Sequence, residues 1–102
     1  MDTPYETALL QLAEIYAVEA AEHGGKSLAR VATIVVNRGS FFERLRDGGG
    51  CSARNLELLI HWFRRAENWP RFVPDKALSI LIGIGRPVLM AEYTATPERE
   101  AA

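Results

Sequence analysis

Arginine is the side chain best suited to the edge of a guanine, and this chain carries Arg38 and Arg44 within seven residues. Between them stand Ser40, whose hydroxyl donates and accepts, and Glu43, whose carboxylate accepts from a cytosine amino group. Phe41 adds an apolar ring of the kind that meets a thymine methyl. The chemistry of this stretch, RGSFFERLR, is recognition rather than bond-making. Catalytic chemistry finds little support elsewhere. His23 lies in a glycine-rich stop and His61 in a helical stretch, and neither has another His or Cys at metal-ligand spacing. Glu57 and His61 are four apart, a geometry that binds a metal or makes a simple surface pair, and the surface pair is the expectation. There is no phosphate loop, no nucleophile elbow and no carboxylate pair in a recognisable context. The expectation is a chain that is not an enzyme, with no catalytic residue, metal, cofactor or small-molecule ligand. Cys51 is the only cysteine, which excludes an intrachain disulfide and a cysteine-rich metal site. It reads as a passive residue before a helix.

The elements that must position these side chains are helices. Leu28, Val31, Ala32 and Val35 recur at three- and four-residue spacing and lay an apolar stripe along one helix. Asn37-Arg38-Gly39 interrupts the pattern with residues that tolerate positive φ. Ser40 is placed as an N-cap, Phe41, Phe42 and Leu45 begin a second stripe, and Gly48-Gly49-Gly50 ends it. Two short helices joined by a glycine-containing turn make a helix-turn-helix, whose second helix can enter the DNA major groove. The β-branched run TIVV at 33–36 has no second strand-like run to pair with, and the helical stripe passes through it.

Three further helices are expected. The first has Thr3 as N-cap, Pro4 at the first helical position and Glu6 completing a capping box. It runs to about Glu22, with Tyr5, Leu9, Leu12 and Tyr16 in one row and Leu10 and Ile15 beside it, and His23-Gly24-Gly25 stops it. Ser27 caps the helix carrying the first stripe. Ser52 caps a long helix from about Ala53 to Glu67, burying Leu56, Leu59, Ile60 and Phe63 with Trp62 at its flank, and Asn68-Trp69-Pro70 closes it. An apolar C-terminal helix over 75–90 carries Ala77, Leu78, Ile80, Leu81 and Ile84, with Ile82, Val88, Leu89 and Met90 beyond what one helix face needs. Residues 91–102 read as a flexible tail.

A net charge of −1 looks wrong for a nucleic-acid binder until the charges are placed along the chain. Residues 1–23 hold five acidic groups (Asp2, Glu6, Glu14, Glu19, Glu22) and no Lys or Arg. Residues 24–72 hold nine basic groups against Glu43, Asp47, Glu57 and Glu67, a surplus of +5 around the second to fourth helices. Hydrophobic content of 48% and charged content of 25% fit a globular chain, and 102 residues fit one domain. No apolar run reaches the roughly 20 residues needed to span a bilayer, and the acidic start MDTPYETALL does not read as a signal peptide. A cytoplasmic, nucleoid-associated location is the expectation.

Segment 27–66 resembles the lambda-repressor-like (Cro/cI, XRE-type) DNA-binding domains. Val31 and Ala32 fall where that family has an apolar residue followed by a small one, Val35 takes the next apolar position, and Phe42 and Leu45 take the core positions of the recognition helix. Gly48 matches the glycine ending that helix, and NLELLIHWF at 55–63 looks like the helix that packs under the pair. Val36 stands where the family carries its turn glycine and Asn37 where it carries an apolar residue, the glycine having moved to Gly39. The stretch NRGSFFERL, with Asn68-Trp69-Pro70 after the next helix, is also similar to small bacterial and prophage-borne regulators.

The resemblance implies an all-α bundle of about five helices in a single domain over 1–90, with its reading unit at 27–66. It implies that Arg38, Gly39, Ser40, Phe41, Glu43 and Arg44 face the bases. Lys26, Arg30, Arg46 and Arg54 are expected at phosphates, which position a protein without reading sequence. The function expected is a sequence-specific transcriptional regulator, repressor-like, on double-stranded DNA. One recognition helix is too little for tight specific binding, so a homodimer through 77–90 on two half-sites is expected. The competing expectation is a helical protein-interaction module, such as an antitoxin or a prophage excisionase-like accessory protein.

Overall fold

The computed structural model describes residues 4–89, which form five α-helices, a 3₁₀ turn and no β-strand. Thr3, Met90 and the tail 91–102 lie outside the described residues. The first helix, α1 (Pro4–His23), starts at the proline whose missing N–H costs nothing in a first turn. It ends where Gly24, at φ 81°, donates to the Ala20 carbonyl at 2.9 Å. Leu9, Leu12 and Tyr16 are buried as the spacing predicts, together with Ala8 and Ala13, whose small side chains suit close helix approach. Tyr5 departs from the expected row. It is half-exposed, with the Arg86 guanidinium 5.4 Å from its ring centre. Gly25 is a close approach: a Cβ there would meet Ala20 Cβ at 2.9 Å and Pro70 Cγ and the Tyr16 hydroxyl at 3.1 Å.

Ser27 caps α2 (Leu28–Val36), its Oγ accepting from the Arg30 amide at 3.1 Å. The TIVV run is helical. Asn37 closes α2 in the left-handed region (φ 58°), donating to the Thr33 carbonyl at 3.0 Å, while the Arg38 amide reaches the Ala32 carbonyl at 3.3 Å. The asparagine, not Gly39, therefore supplies the positive φ of this turn. Gly39 matters for space, since a Cβ would stand 3.2 Å from Thr33 Oγ1. Ser40 precedes α3 (Phe41–Arg46) but its side chain accepts no capping bond, a correction to its expected role. The turn is closed through backbone instead, the Phe41 amide donating to the Arg38 carbonyl at 3.1 Å. Gly48, at φ 94°, ends α3 as expected, and the Gly49 amide returns to the Arg44 carbonyl at 2.8 Å. A Cβ on Gly49 would stand 2.8 Å from that carbonyl oxygen, so the tight return requires glycine there.

Ser52 caps α4 (Ala53–Arg64) by accepting from the Asn55 amide at 3.1 Å. The helix stops earlier than Glu67 because its last carbonyls are taken by side chains beyond it. Asn68 Nδ2 donates to the Trp62 carbonyl at 2.9 Å and Trp69 Nε1 to the Phe63 carbonyl at 2.8 Å, folding Ala66–Asn68 into a 3₁₀ turn. The last helix, α5 (Asp75–Gly83), is shorter than the expected 75–90. Gly85 at φ 73° turns the chain, and residues 86–89 run as a strap along the end of α4. There the Leu89 amide donates to the Arg64 carbonyl at 2.6 Å and the Ala66 amide to the Leu89 carbonyl at 3.1 Å, an isolated parallel bridge.

The core gathers residues from all five helices. Its centre is aromatic: the Tyr16 ring lies 5.3 Å from Trp62, 5.7 Å from Phe63 and 5.3 Å from Trp69, distances suited to edge-to-face packing. Phe42 reaches the same cluster through Phe63 at 6.4 Å. The acidic α1 packs against α3, α4 and α5, and α2 packs against α3 and α4.

A bidentate ion pair pins the strap: Arg86 donates to both Glu57 oxygens, at 2.7 and 3.1 Å. Those bonds hold the Glu57 carboxyl below its ordinary value of 4.5. A depressed folded value means that the latch contributes above pH 4.5 and is lost as the pH falls through the folded value. Glu57 is half-exposed, so the effect is local. The protection of the Leu89 and Ala66 amides, their exchange rate relative to the intrinsic rate at the same pH, should therefore fall on acidification, and Glu57→Gln should give the lower protection already at neutral pH. Unchanged exchange in that variant would show that the backbone bridge alone holds the strap.

Candidate nucleic-acid interface

The basic surplus of residues 24–72 resolves into two populations. Arg65 pairs with Glu67 at 2.6 Å, Arg64 donates to the Pro87 carbonyl at 2.7 Å, and Arg71 stands 4.6 Å over the Phe72 ring. Lys26, Arg30, Arg38, Arg44, Arg46 and Arg54 form no ion pair among the described residues. All six are exposed. They lie on or just before α2, α3 and the start of α4, and an unpaired cation keeps its field available to an incoming anion. Arg44 has Glu43 and Asp47 as neighbours in sequence, and Glu57 is a further candidate partner. It pairs with none of them, and Glu57 is occupied by Arg86.

Within α3 the apolar side chains are all used by the core. Phe42 and Leu45 are buried as expected. Phe41 is buried too, at 6% exposure, with its ring 5.5 Å from Phe42. That corrects its place among the residues expected to face bases. A six-residue helix offers the core only three apolar side chains, and Phe41 lies on the same side as the other two. Arg38, Gly39, Ser40, Glu43 and Arg44 are exposed, as are the expected phosphate contacts Lys26, Arg30, Arg46 and Arg54. At about 100° per residue, Glu43 falls opposite the buried side, with Arg44 and Arg46 turned to its two flanks.

Each flank of α3 opens on a hollow. One, of about 320 Å³, is lined by Arg38 and Arg44 on one side and Gly50, Cys51, Ser52 and Asn55 on the other. The second, of about 380 Å³, lies between Leu28 and Ala29 of α2 and Ser40, Glu43 and Arg46. Both hollows adjoin the first turn of a helix, where amides lack intrahelical partners beyond the one that Ser27 or Ser52 takes. No residue pattern signals directly that Arg38 and Arg44 share a cleft with the start of α4. The usable signal is the shortness and glycine content of the connection Asp47-Gly48-Gly49-Gly50-Cys51-Ser52, which turns the chain straight back beside α3. The start of α2 is held in place by the Lys26 amide, which donates to the Tyr16 hydroxyl at 3.1 Å.

Burial pushes the Cys51 thiol above its ordinary value, the Glu6 carboxylate adds to this, and the thiol donates to Glu6 at 3.7 Å. His61 and Glu57 are not joined, since Glu57 serves Arg86. Glu19, Glu22 and His23 bring their ligand atoms within 4.8 Å of one another at the end of α1. His23 Nε2 stands 3.9 and 3.7 Å from the Glu19 and Glu22 carboxylates, beyond hydrogen-bond distance, and Glu19 Oε1 is buried without a hydrogen-bond partner. No helix among the described residues is long and apolar enough to cross a membrane.

No family model matches the chain, no curated protein matches it, and no solved structure matches it.

Proposed function

We propose that the protein is a sequence-specific duplex-DNA-binding regulator in which α2 and α3 act as a helix-turn-helix and α3 enters the major groove. The observation that carries this reading is the set of exposed cations without acidic partners among the described residues: Arg38, Arg44 and Arg46 line the two hollows beside α3, and Lys26, Arg30 and Arg54 lie at the starts of α2 and α4. Exposed cations neutralise phosphates, and a short helix whose exposed side is polar suits a groove-reading element. The acidic α1 supports the reading by packing behind α3 and α4 as a buttress.

The apolar surplus of 77–90 is largely absorbed by the domain itself: Ala77 and Leu81 are buried, and Leu78, Ile80, Ile84 and Val88 pack against the core. Ile82 and Leu89 remain exposed and are the proposed contact of a homodimer. Exposed Phe72 and Ile82 also favour the second reading, a helical protein-interaction module of antitoxin or excisionase-like type. Selection of bound sites from random duplexes separates the two. The DNA-binding reading expects successive rounds to converge on a shared motif, in two copies about one helical turn apart if the protein dimerises. A pool with no enrichment would remove it.

A further inference from the structure

We infer that α3 recognises duplex DNA with its arginines and its glutamate in roles opposite to those residue type alone suggests: Arg38 and Arg44 clamp a backbone phosphate, and Glu43 reads the base. The inference deepens the duplex-binding reading and rests on it.

The roles follow from where the side chains stand. Arg38, before α3, and Arg44, on it, line one cleft of about 320 Å³ whose far wall is Ser52 and Asn55 of the next helix. Neither guanidinium has a carboxylate partner among the described residues, so two positive charges share one concavity with no ion pair there to balance them. A concave seat with two fork-shaped donors suits a tetrahedral anion, and guanidinium–phosphate pairing is bidentate and strong. A base edge is a flat target at the floor of a groove, reached by side chains at the crest of the inserted helix. Arg44 is turned to the flank of α3, toward α4, and Arg38 precedes the helix altogether.

Glu43 occupies the crest. It lies opposite Phe41, Phe42 and Leu45, is exposed, and forms no ion pair among the described residues. It shares the rim of the second hollow with Ser40 and Arg46. An ionised carboxylate only accepts hydrogen bonds, and in the major groove the cytosine N4 amino group is its natural donor. A carboxylate among phosphates is tolerable only with cations beside it, and here Arg44 and Arg46 stand on its two sides. Glu43 thus selects against a guanine or thymine at its position, whose groove edges offer that carboxylate no amino donor.

The test uses the full chain and a duplex recovered by selection, with a scrambled duplex and a panel carrying each of the four base pairs at every motif position. Binding is followed by fluorescence anisotropy between 50 and 200 mM salt, after thermal melting shows that each variant keeps the parent's fold. Arg38→Ala/Arg44→Ala should weaken matched and scrambled duplexes by the same factor and reduce the salt slope by about one to two. Glu43→Gln should leave the slope nearly unchanged and move the preference at one base pair from cytosine toward adenine, whose N6 and N7 suit an amide. If the arginine variant loses affinity on the matched duplex alone, with the slope intact, the arginines read bases and the inference is overturned while duplex binding stands. The same holds if Glu43→Gln changes no base preference. Absence of any salt-dependent duplex binding by the parent would overturn both readings together.

Discussion

Phe63→Ala is expected to lower the unfolding free energy by about 3–5 kcal/mol, the range for truncating a buried aromatic. Its side chain is fully buried, and its ring lies 5.3 to 6.4 Å from those of Tyr16, Phe42, Trp62 and Trp69. Truncation removes the one ring that touches all four, and neighbours from α1, α3, α4 and the 66–69 turn cannot all close the space at once. Domains of this size have unfolding free energies of about 5–15 kcal/mol, so the variant should melt more than about 10 °C below the parent. Phe42→Ala and Leu45→Ala should each cost about 2–5 kcal/mol, since both are buried on α3. Phe72→Ala is the control. That ring is 60% exposed, and its removal should change stability by less than about 0.5 kcal/mol. Thermal melts of the four variants check the core, and a Phe63→Ala protein that melts with the parent would mean that the helices pack differently.

The second large effect concerns binding. Arg30 and Arg54 sit in the first turns of α2 and α4, the two helix starts that the hollows beside α3 adjoin, and neither has an acidic partner among the described residues. The proposed docking brings each to a phosphate of a different strand. A charge-assisted hydrogen bond contributes about 1.5–3 kcal/mol, so Arg30→Ala/Arg54→Ala should lose roughly a hundredfold or more in affinity at low salt. Both side chains are exposed, and the double variant should melt with the parent. The loss should be equal on matched and scrambled duplexes, because phosphates carry no sequence. An undiminished affinity in the double variant would place the contact surface elsewhere on the domain.

What the sequence made legible was local. Pro4, Ser27, Ser52 and Gly48 mark helix ends by backbone chemistry confined to one turn, and each stands where its residue type implies. The helical state of TIVV followed from the stripe that runs through it, despite its β-branched residues. Phe41 was not legible, because in a helix as short as α3 three adjacent apolar residues do not say which of them the core will need. Ser40 looked like a cap by type, yet the backbone from Asn37 through Phe41 closes itself and leaves the hydroxyl unused. The ends of α4 and α5 depend on contacts distant in sequence. Trp69 and Asn68 turn back on Phe63 and Trp62, and Leu89 pairs beside Arg65. No periodicity in 53–67 or 75–90 encodes those meetings. For the candidate interface, exposure of the cations was foreseeable from charge, whereas the cleft shared by Arg38, Arg44 and α4 needed the fold.

The central claim, that the face around α3 binds duplex DNA, is tested most directly by the salt dependence of the parent protein's affinity for a selected duplex. Six exposed cations without an acidic partner among the described residues lie on or just before α2, α3 and α4, and four to six phosphate contacts give a slope of log affinity against log salt of about −3.6 to −5.4. Between 50 and 200 mM salt the affinity should therefore fall roughly 150- to 1,800-fold. An affinity that stays flat across that range would contradict the account, whatever the strength of the binding.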